Sequence, residues 1–260
     1  FQMCNHIIAT TEPQTELLID KYDVLERRIS VVPPGMDESR FSPIRLEDQK
    51  ALRQKYGFEE HDVLVVGRMA KNKGHDLLLK SFPTLKELVP DARIFAAIGS
   101  DDSARDKKGI EELKKLANEL GVEKDVVWRP YIPDEELADH YRCGAVFSMS
   151  SRYEPFGMVA IEAMACGTPS VVTVHGGLKD AIDFGNQALF ADPFRPIEYG
   201  TMLAVPMLYE DISKEISIEG ARFARRVFGW TGIAKQILKI FESHIQVNNM
   251  NIHKNSVLRY

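Results

Sequence analysis

The sequence predicts an α/β fold, a Rossmann-like, doubly wound parallel sheet. Three observations predict it. Short runs that are apolar without alternation recur at 62–67, 92–99, 145–149 and 170–174, as in strands buried on both faces. Stretches with helical periodicity stand between them. The residues best suited to chemistry fall just after the apolar runs, where ligands bind in open α/β sheets.

Taken in order, His6 to Thr10 reads as a strand and Thr11 to Lys21 as a helix. Ile29 to Val32 is a strand closed by Pro33-Pro34-Gly35, a stiff break. Asp62 to Gly67 is a buried strand, and a helix over 76–88 follows with Leu77, Leu78, Phe82, Leu85 and Leu88 on one face. The run 92–99 is the next strand, 109–120 a helix stopped by Gly121, and 125–128 a short strand. Pro133-Asp134 opens a helix through Tyr141. The strand 145–149, a helix from Met158 to Cys166 and the strand 170–174 complete the pattern, and six strands are expected between 62 and 190. Trp230 to His244 is amphipathic, with Ile233, Ile237, Leu238 and Phe241 on one stripe. The Asn-rich tail from Ile245 reads as loose. The domain reading is a sheet domain over 42–228, preceded by the remnant of another domain (1–32) and a linker (33–41), and followed by a helix (229–244) and the tail (245–260).

Of 260 residues, 44% are hydrophobic and 27% charged, ample for one sizeable core and marginal for two. A net charge of −5 gives no general electrostatic case for nucleic acid. Cys4, Cys143 and Cys166 are odd in number and far apart, so they match neither a disulfide framework nor a metal cluster. Buried structural thiols in a reducing cytoplasm are expected. No apolar run approaches a membrane span and no signal peptide is visible. The chain opens at Phe1 without a Met, which reads as a fragment.

The run Glu154-Pro155-Phe156-Gly157-Met158-Val159-Ala160-Ile161-Glu162 carries the most chemistry. Glu154 is expected on a strand-to-helix loop and Glu162 inside the helix, roughly 7–8 Å along from Gly157. The helix start offers unpaired N–H groups and a positive dipole end to a phosphate. One carboxylate can then meet a group beyond the phosphate, and the other a group on its opposite side. Gly67-Arg68 and Lys73-Gly74 flank another strand end, where two cations either clamp a diphosphate or lie on a solvated surface. Neither a Walker loop nor a G-x-G-x-x-G fingerprint is present. Paired carboxylates can hydrolyse glycosides, but a Glu among apolar helix neighbours suits a fixed acceptor better than a proton shuttle. His175-Gly176-Gly177 is a tight turn or a close approach to a ligand. Arg129 and Tyr131 end another strand and line a base pocket, or Trp128 beside them is plain core.

These stretches together resemble the retaining nucleotide-sugar glycosyltransferases of family 4, whose GT-B fold has two Rossmann domains. The resemblance runs from Val32-Pro33-Pro34-Gly35-Met36-Asp37 with Phe41, through Gly67-Arg68 to Lys73-Gly74. It continues over 151–157, Glu162 to Pro169, and His175-Gly176-Gly177. It implies the C-terminal, donor-binding half of such an enzyme. Arg68 and Lys73 would bind the donor diphosphate and steady the leaving charge, and Glu154 would hold hydroxyls of the transferred sugar. Phe156, Gly157 and Met158 would offer backbone N–H groups, and Glu162 would take the ribose hydroxyls. The catalytic set is then Arg68, Lys73 and Glu154; Gly67, Arg129 and Tyr131 join the donor site. The resemblance implies no metal and no cofactor, retention of the anomeric configuration, and no enzyme nucleophile. Its implied partners are a nucleotide-sugar donor (GDP-mannose or UDP-glucose), a sugar-phosphate acceptor, and a missing N-terminal domain or a second copy on the 230–244 helix. Where the family has a Glu after the double glycine, this chain has Asp180.

Three rival readings follow from the same residues. A non-catalytic nucleotide-sugar binding fragment fits a chain without an acceptor domain. A nicotinamide-dependent oxidoreductase lacks its glycine fingerprint here, and a phosphorylase lacks a cofactor-lysine context.

Overall fold

The computed structural model describes residues 1, 3–99, 104–129 and 131–257, with the side chains of 245–257 outside that description. The chain divides into two compact units, 1–37 with 226–257, and 38–225.

In the first unit, β1 (Ile7–Ala9) pairs in parallel with β2 (Ile29–Val31), and α1 (Glu12–Tyr22) connects them. Thr11 caps α1 by accepting from the Gln14 N–H, and Pro13 stands where a missing N–H costs nothing. The second unit opens with α2 (Leu46–Tyr56), and its six-stranded parallel sheet begins at β3 (Asp62–Gly67). Next come α3 (His75–Leu88), β4 (Arg93–Ile98), α4 (Ala104–Glu119), β5 (Val126–Arg129) and α5 (Asp134–Cys143). Then follow β6 (Val146–Met149), α6 (Met158–Ala165), β7 (Ser170–Thr173), β8 (Leu189–Ala191) and α7 (Pro196–Leu208). The sheet order is β5-β4-β3-β6-β7-β8. The chain winds outward from β3 in one direction, then returns to β6 and winds outward in the other. The doubly wound parallel sheet is the expected one, and its switch point lies between β3 and β6.

Strand periodicity explains the two buried faces. Val63, Val65, Ile94, Ala96 and Ile98 join one core with Leu78, Phe82, Leu113, Tyr199 and Leu203 of α3, α4 and α7. The alternate residues point the other way: Phe95 stacks on Phe58 at 3.9 Å between centroids, and Phe147 meets Tyr141 edge-on. At the amino end of the sheet, Asp62 is fully buried. It accepts from Arg93 Nε at 2.8 Å, from Arg93 Nη2 at 2.7 Å and from the Glu59 N–H at 2.8 Å.

Three expectations need correction. The helix expected over 109–120 starts at Ala104, because Ala104 to Lys108 has no residue that breaks a helix. After α8 (Glu210–Phe228), the helix expected to stop at His244 runs as α9 from Trp230 to Val257. The tail is not loose over that range: Asn lowers helix propensity only slightly, and no Gly or Pro ends the turn. Cys143 and Cys166 are buried, burial pushing both thiols up to about 12, but Cys4 is exposed. On the expected stripe of α9, Ile233 is buried while Leu238 and Phe241 are exposed. The middle of α9 lies beside β1: the His6 and His244 rings are 4.4 Å apart, and Met3, Ile8, Ile240 and Phe241 line a shared groove.

Removing one partner of a buried ion pair strands the other charge. Arg93→Ala is therefore expected to cost about 3–5 kcal/mol of stability, read by chemical denaturation. A loss below ~1 kcal/mol would mean that water reaches Asp62.

Candidate functional site at the sheet switch point

Three loops meet at the carboxyl edge of the sheet, after β3, β6 and β7. The loop after β6 is held by both of its neighbours. On one side the Arg152 N–H donates to the Asn72 carbonyl at 2.8 Å, and Ser150 Oγ donates to the Gly74 carbonyl at 3.0 Å. On the other side the Glu154 N–H donates to the His175 carbonyl at 2.9 Å, and the Gly177 N–H to the Glu154 carbonyl at 3.3 Å. Both approaches exclude a side chain. A Cβ on Gly74 would stand 2.0 Å from the Ser150 oxygen, and one on Gly176 would stand 1.9 Å from the Glu154 oxygen. The tandem glycine at 176 thus serves a close approach of backbone to backbone.

This lacing brings Lys73 to Glu154. Lys73 Nζ donates to Glu154 Oε2 at 2.6 Å, and Ser151 Oγ donates to the same oxygen at 3.2 Å. Both charged side chains are largely buried, 18% and 11% exposed, so the pair is shielded enough to be strong. Arg68 follows Gly67 at the end of β3; its guanidinium is exposed and bonds no described residue. Phe156 is buried, and Gly157 starts α6 with φ +94°. No side chain caps that helix, and the N–H groups of Met158 and Val159 make no backbone hydrogen bond to a described residue. They are donors available to an anion beside Lys73 and Arg68.

Glu162 lies in α6 among Ile161, Ala163 and Met164, all buried, and Oε2 accepts from the Tyr141 hydroxyl at 2.9 Å. Burial raises the Glu162 carboxyl pKa, while the Tyr141 hydroxyl and the Arg40 charge pull it part of the way back. Its second oxygen can accept further hydrogen bonds. Arg129 and Tyr131 are not brought to this cluster. They stand at the end of β5, two strands from β3, or roughly 10 Å across the sheet. Arg129 lies over the Phe95 ring at 5.7 Å, and Arg129 and Tyr131 line a cavity of about 420 Å³ with Tyr56 and His140. Asp180 is exposed at the end of a short 3-10 turn after Gly177.

Sequence reasoning missed three supporting residues. Arg152 forks onto Asp76 with two 2.7 Å hydrogen bonds and also donates to the Lys71 carbonyl at 2.9 Å, tying the first loop to the second. Burial pushes the Asp76 carboxyl up, but Arg152, with the Lys80 charge and a backbone hydrogen bond, more than reverses this and leaves it below the ordinary value. Ser151 and Tyr141 orient the two glutamates. Tyr141 is 21 positions from Glu162 and Arg152 is 76 from Asp76, so no local spacing reveals those two, whereas Ser151 lies three positions before Glu154 in the same loop.

The chain matches the family model for glycosyl transferases group 1 over residues 48–201. It is 44% identical over 243 residues to the mannosylfructose-phosphate synthase of Agrobacterium fabrum, covering 93% of this chain and 54% of that protein. It is 32% identical over 238 residues to the D-inositol 3-phosphate glycosyltransferase of Corynebacterium jeikeium, covering 91% and 57%. Its backbone is similar to sucrose-phosphate synthase from Thermosynechococcus elongatus, with a TM-score of 0.78 at 24% identity over 92% of this chain and 58% of that one. The chain spans about half the length of the curated relatives it matches. Among the described residues, no helix is long and apolar enough to cross a membrane.

The Tyr141 contact has a pH signature. The Glu162 carboxyl holds its proton to a higher pH in the folded chain than its ordinary value of 4.5. Its contribution to stability is therefore full below that value and is lost as pH rises through the folded value. Tyr141→Phe removes a donor that opposes burial, so the Glu162 midpoint should move further up and the falling limb should extend to higher pH. A carbon-13 titration of the Glu162 carboxyl checks this; an unmoved midpoint would show that the hydroxyl does not bond the carboxylate in solution.

Proposed function

The chain belongs to the group 1 glycosyl transferases, and from that premise we propose that it is the donor-binding half of a hexosyltransferase. The whole enzyme moves a hexose from a nucleotide diphosphate sugar to a sugar phosphate such as fructose 6-phosphate. The observation that carries this reading is the Lys73–Glu154 pair, set at the β3/β6 switch point beside the uncapped start of α6. A diphosphate at that helix start meets N–H donors and the cations Arg68 and Lys73, which stabilise the charge that grows on the leaving phosphate. Lys73 then shares its charge between phosphate and Glu154, and one Glu154 oxygen turns to hydroxyls of the transferred sugar. Glu162, held by Tyr141, accepts from the ribose hydroxyls, and Arg129 and Tyr131 face the base. Catalysis in this scheme is positioning and electrostatics, without an enzyme nucleophile, a metal or a cofactor.

Likeness to the mannosylfructose-phosphate synthase supports a sugar-phosphate acceptor and a donor such as GDP-mannose; the sucrose-phosphate synthase likeness is one of fold. Residues 1–32 read as the end of a preceding acceptor-binding domain, which α9 also meets. The enzyme's place is the cytoplasm, where nucleotide sugars and sugar phosphates are made.

Calorimetric titration with UDP, GDP, UDP-glucose and GDP-mannose tests the donor site. A guanine preference is expected if the mannosyl reading holds. Glu162→Ala should weaken nucleotide and nucleotide sugar alike by about 10-fold, the value of a hydrogen bond to a charged group. Glu154→Ala should weaken only the sugar-bearing ligands. Equal effects of both variants on all four ligands would overturn the assignment of the two carboxylates.

A further inference from the structure

His75 opens α3 and is 5% exposed, under the loop that carries Arg68. Its Nε2 lies 3.0 Å from the Arg68 carbonyl oxygen. A carbonyl only accepts, so Nε2 bears the hydrogen. Burial and the Lys73 charge depress the ring's pKa despite that hydrogen bond, so the ring is neutral and Nδ1 is a bare acceptor. Nδ1 is buried and has no partner among the described residues. The Trp128 indole Nε1, which can only donate, is likewise buried without one.

These two atoms belong to rings that line the same interior cavity of about 10 Å³. Its other walls are apolar: Val65, Leu78, Ile94, Ile98 and Leu113 are among them. A purely apolar void of this size stays dry, but one bordered by an imidazole and an indole that each carry an unpaired polar atom is at the threshold for holding one water. The polarity also fits, because a water accepts from the indole and donates to the imidazole.

We propose that one water molecule in this cavity links Trp128 Nε1–H to His75 Nδ1, making His75 a positioning residue for the Arg68 loop. The linked chain runs from the Arg68 carbonyl through His75 and water to Trp128, at the end of β5 next to Arg129. It rests on the donor-site reading above in one respect: that reading makes its two ends the diphosphate loop and the base loop. The chain then holds those loops in register from beneath, without touching the ligand. His75 fixes the carbonyl of Arg68, whose own side chain must face the phosphate, and Trp128 fixes the strand whose next residues face the base.

Nitrogen-15 spectra of histidine-labelled protein test the chain directly. At neutral pH, His75 is expected as the neutral Nε2–H tautomer, with Nδ1 shifted by an accepted hydrogen bond. Trp128→Phe should keep the tautomer and move Nδ1 toward the value of a free imine nitrogen. An Nδ1–H tautomer, or an Nδ1 resonance indifferent to Trp128→Phe, would overturn the proposal. The second arm is affinity for UDP and GDP. His75→Phe and Trp128→Phe should each weaken the bound nucleotide about 3–10-fold, and the double variant no more than the weaker single one, as for two members of one network. Multiplying losses would also overturn it. If the unaltered chain binds neither nucleotide, the donor-site reading fails, while the tautomer and the Nδ1 shift still decide the water link.

Discussion

The loop after β6 runs so close to its two neighbours that no side chain fits on either side, and the site depends on that crowding. Glycines at 74 and 176 leave room only for backbone at these two approaches, so main-chain hydrogen bonds join the three loops, with Ser150 and Arg152 side chains adding to them. Main-chain bonds fix positions to fractions of an ångström, and charged groups at a site need that precision. Lys73 and Glu154 are 81 residues apart yet meet at 2.6 Å because the segments carrying them are already tied together. Arg152 adds a charged strut from the same loop to Asp76, so the first loop is held by its carbonyls and by its helix.

The electrostatic design separates two carboxylates on one helix-loop element. Glu154 is paired with a cation, Lys73, at 2.6 Å. Glu162 is half-buried among apolar neighbours, with a hydroxyl as its bonded partner and a cation that acts only at a distance. A ligand arriving at this edge meets one carboxylate that must give up part of a cation and another that gains by accepting new donors. The first exchange is close to balanced only if the ligand itself brings negative charge for Lys73. Under the proposed function, the pairing would favour a ligand that itself carries negative charge.

Much of this was legible in the sequence. Unbroken apolar runs announced strands buried on both faces, and the glycine and proline breaks located their ends. The switch point followed from strand order, and the expected donor residues other than Arg129 and Tyr131 gather there. The supporting residues were not legible. Arg152, Asp76 and Tyr141 act across long sequence separations, and an Arg or Tyr in a polar loop or helix carries no local signal of its partner. The extent of α4 and α9 escaped for another reason. Polar residues of middling propensity permit a helix without demanding one, and neighbouring structure decides.

The sheet order also bears on how the molecule comes to have a site at all. β3 pairs with β4 across about one helix, and β6 with β7 likewise, but Val63 meets Val146 across the centre of the sheet. Pairings between near neighbours in sequence close short loops, while the central one must close a long loop before any contact rewards it. The seam between the two halves therefore carries a larger loop-closure cost than the pairings within each half. Lys73 belongs to one half and Glu154 to the other. Their ion pair therefore exists only where the two halves of the sheet are joined, and it reports that joining.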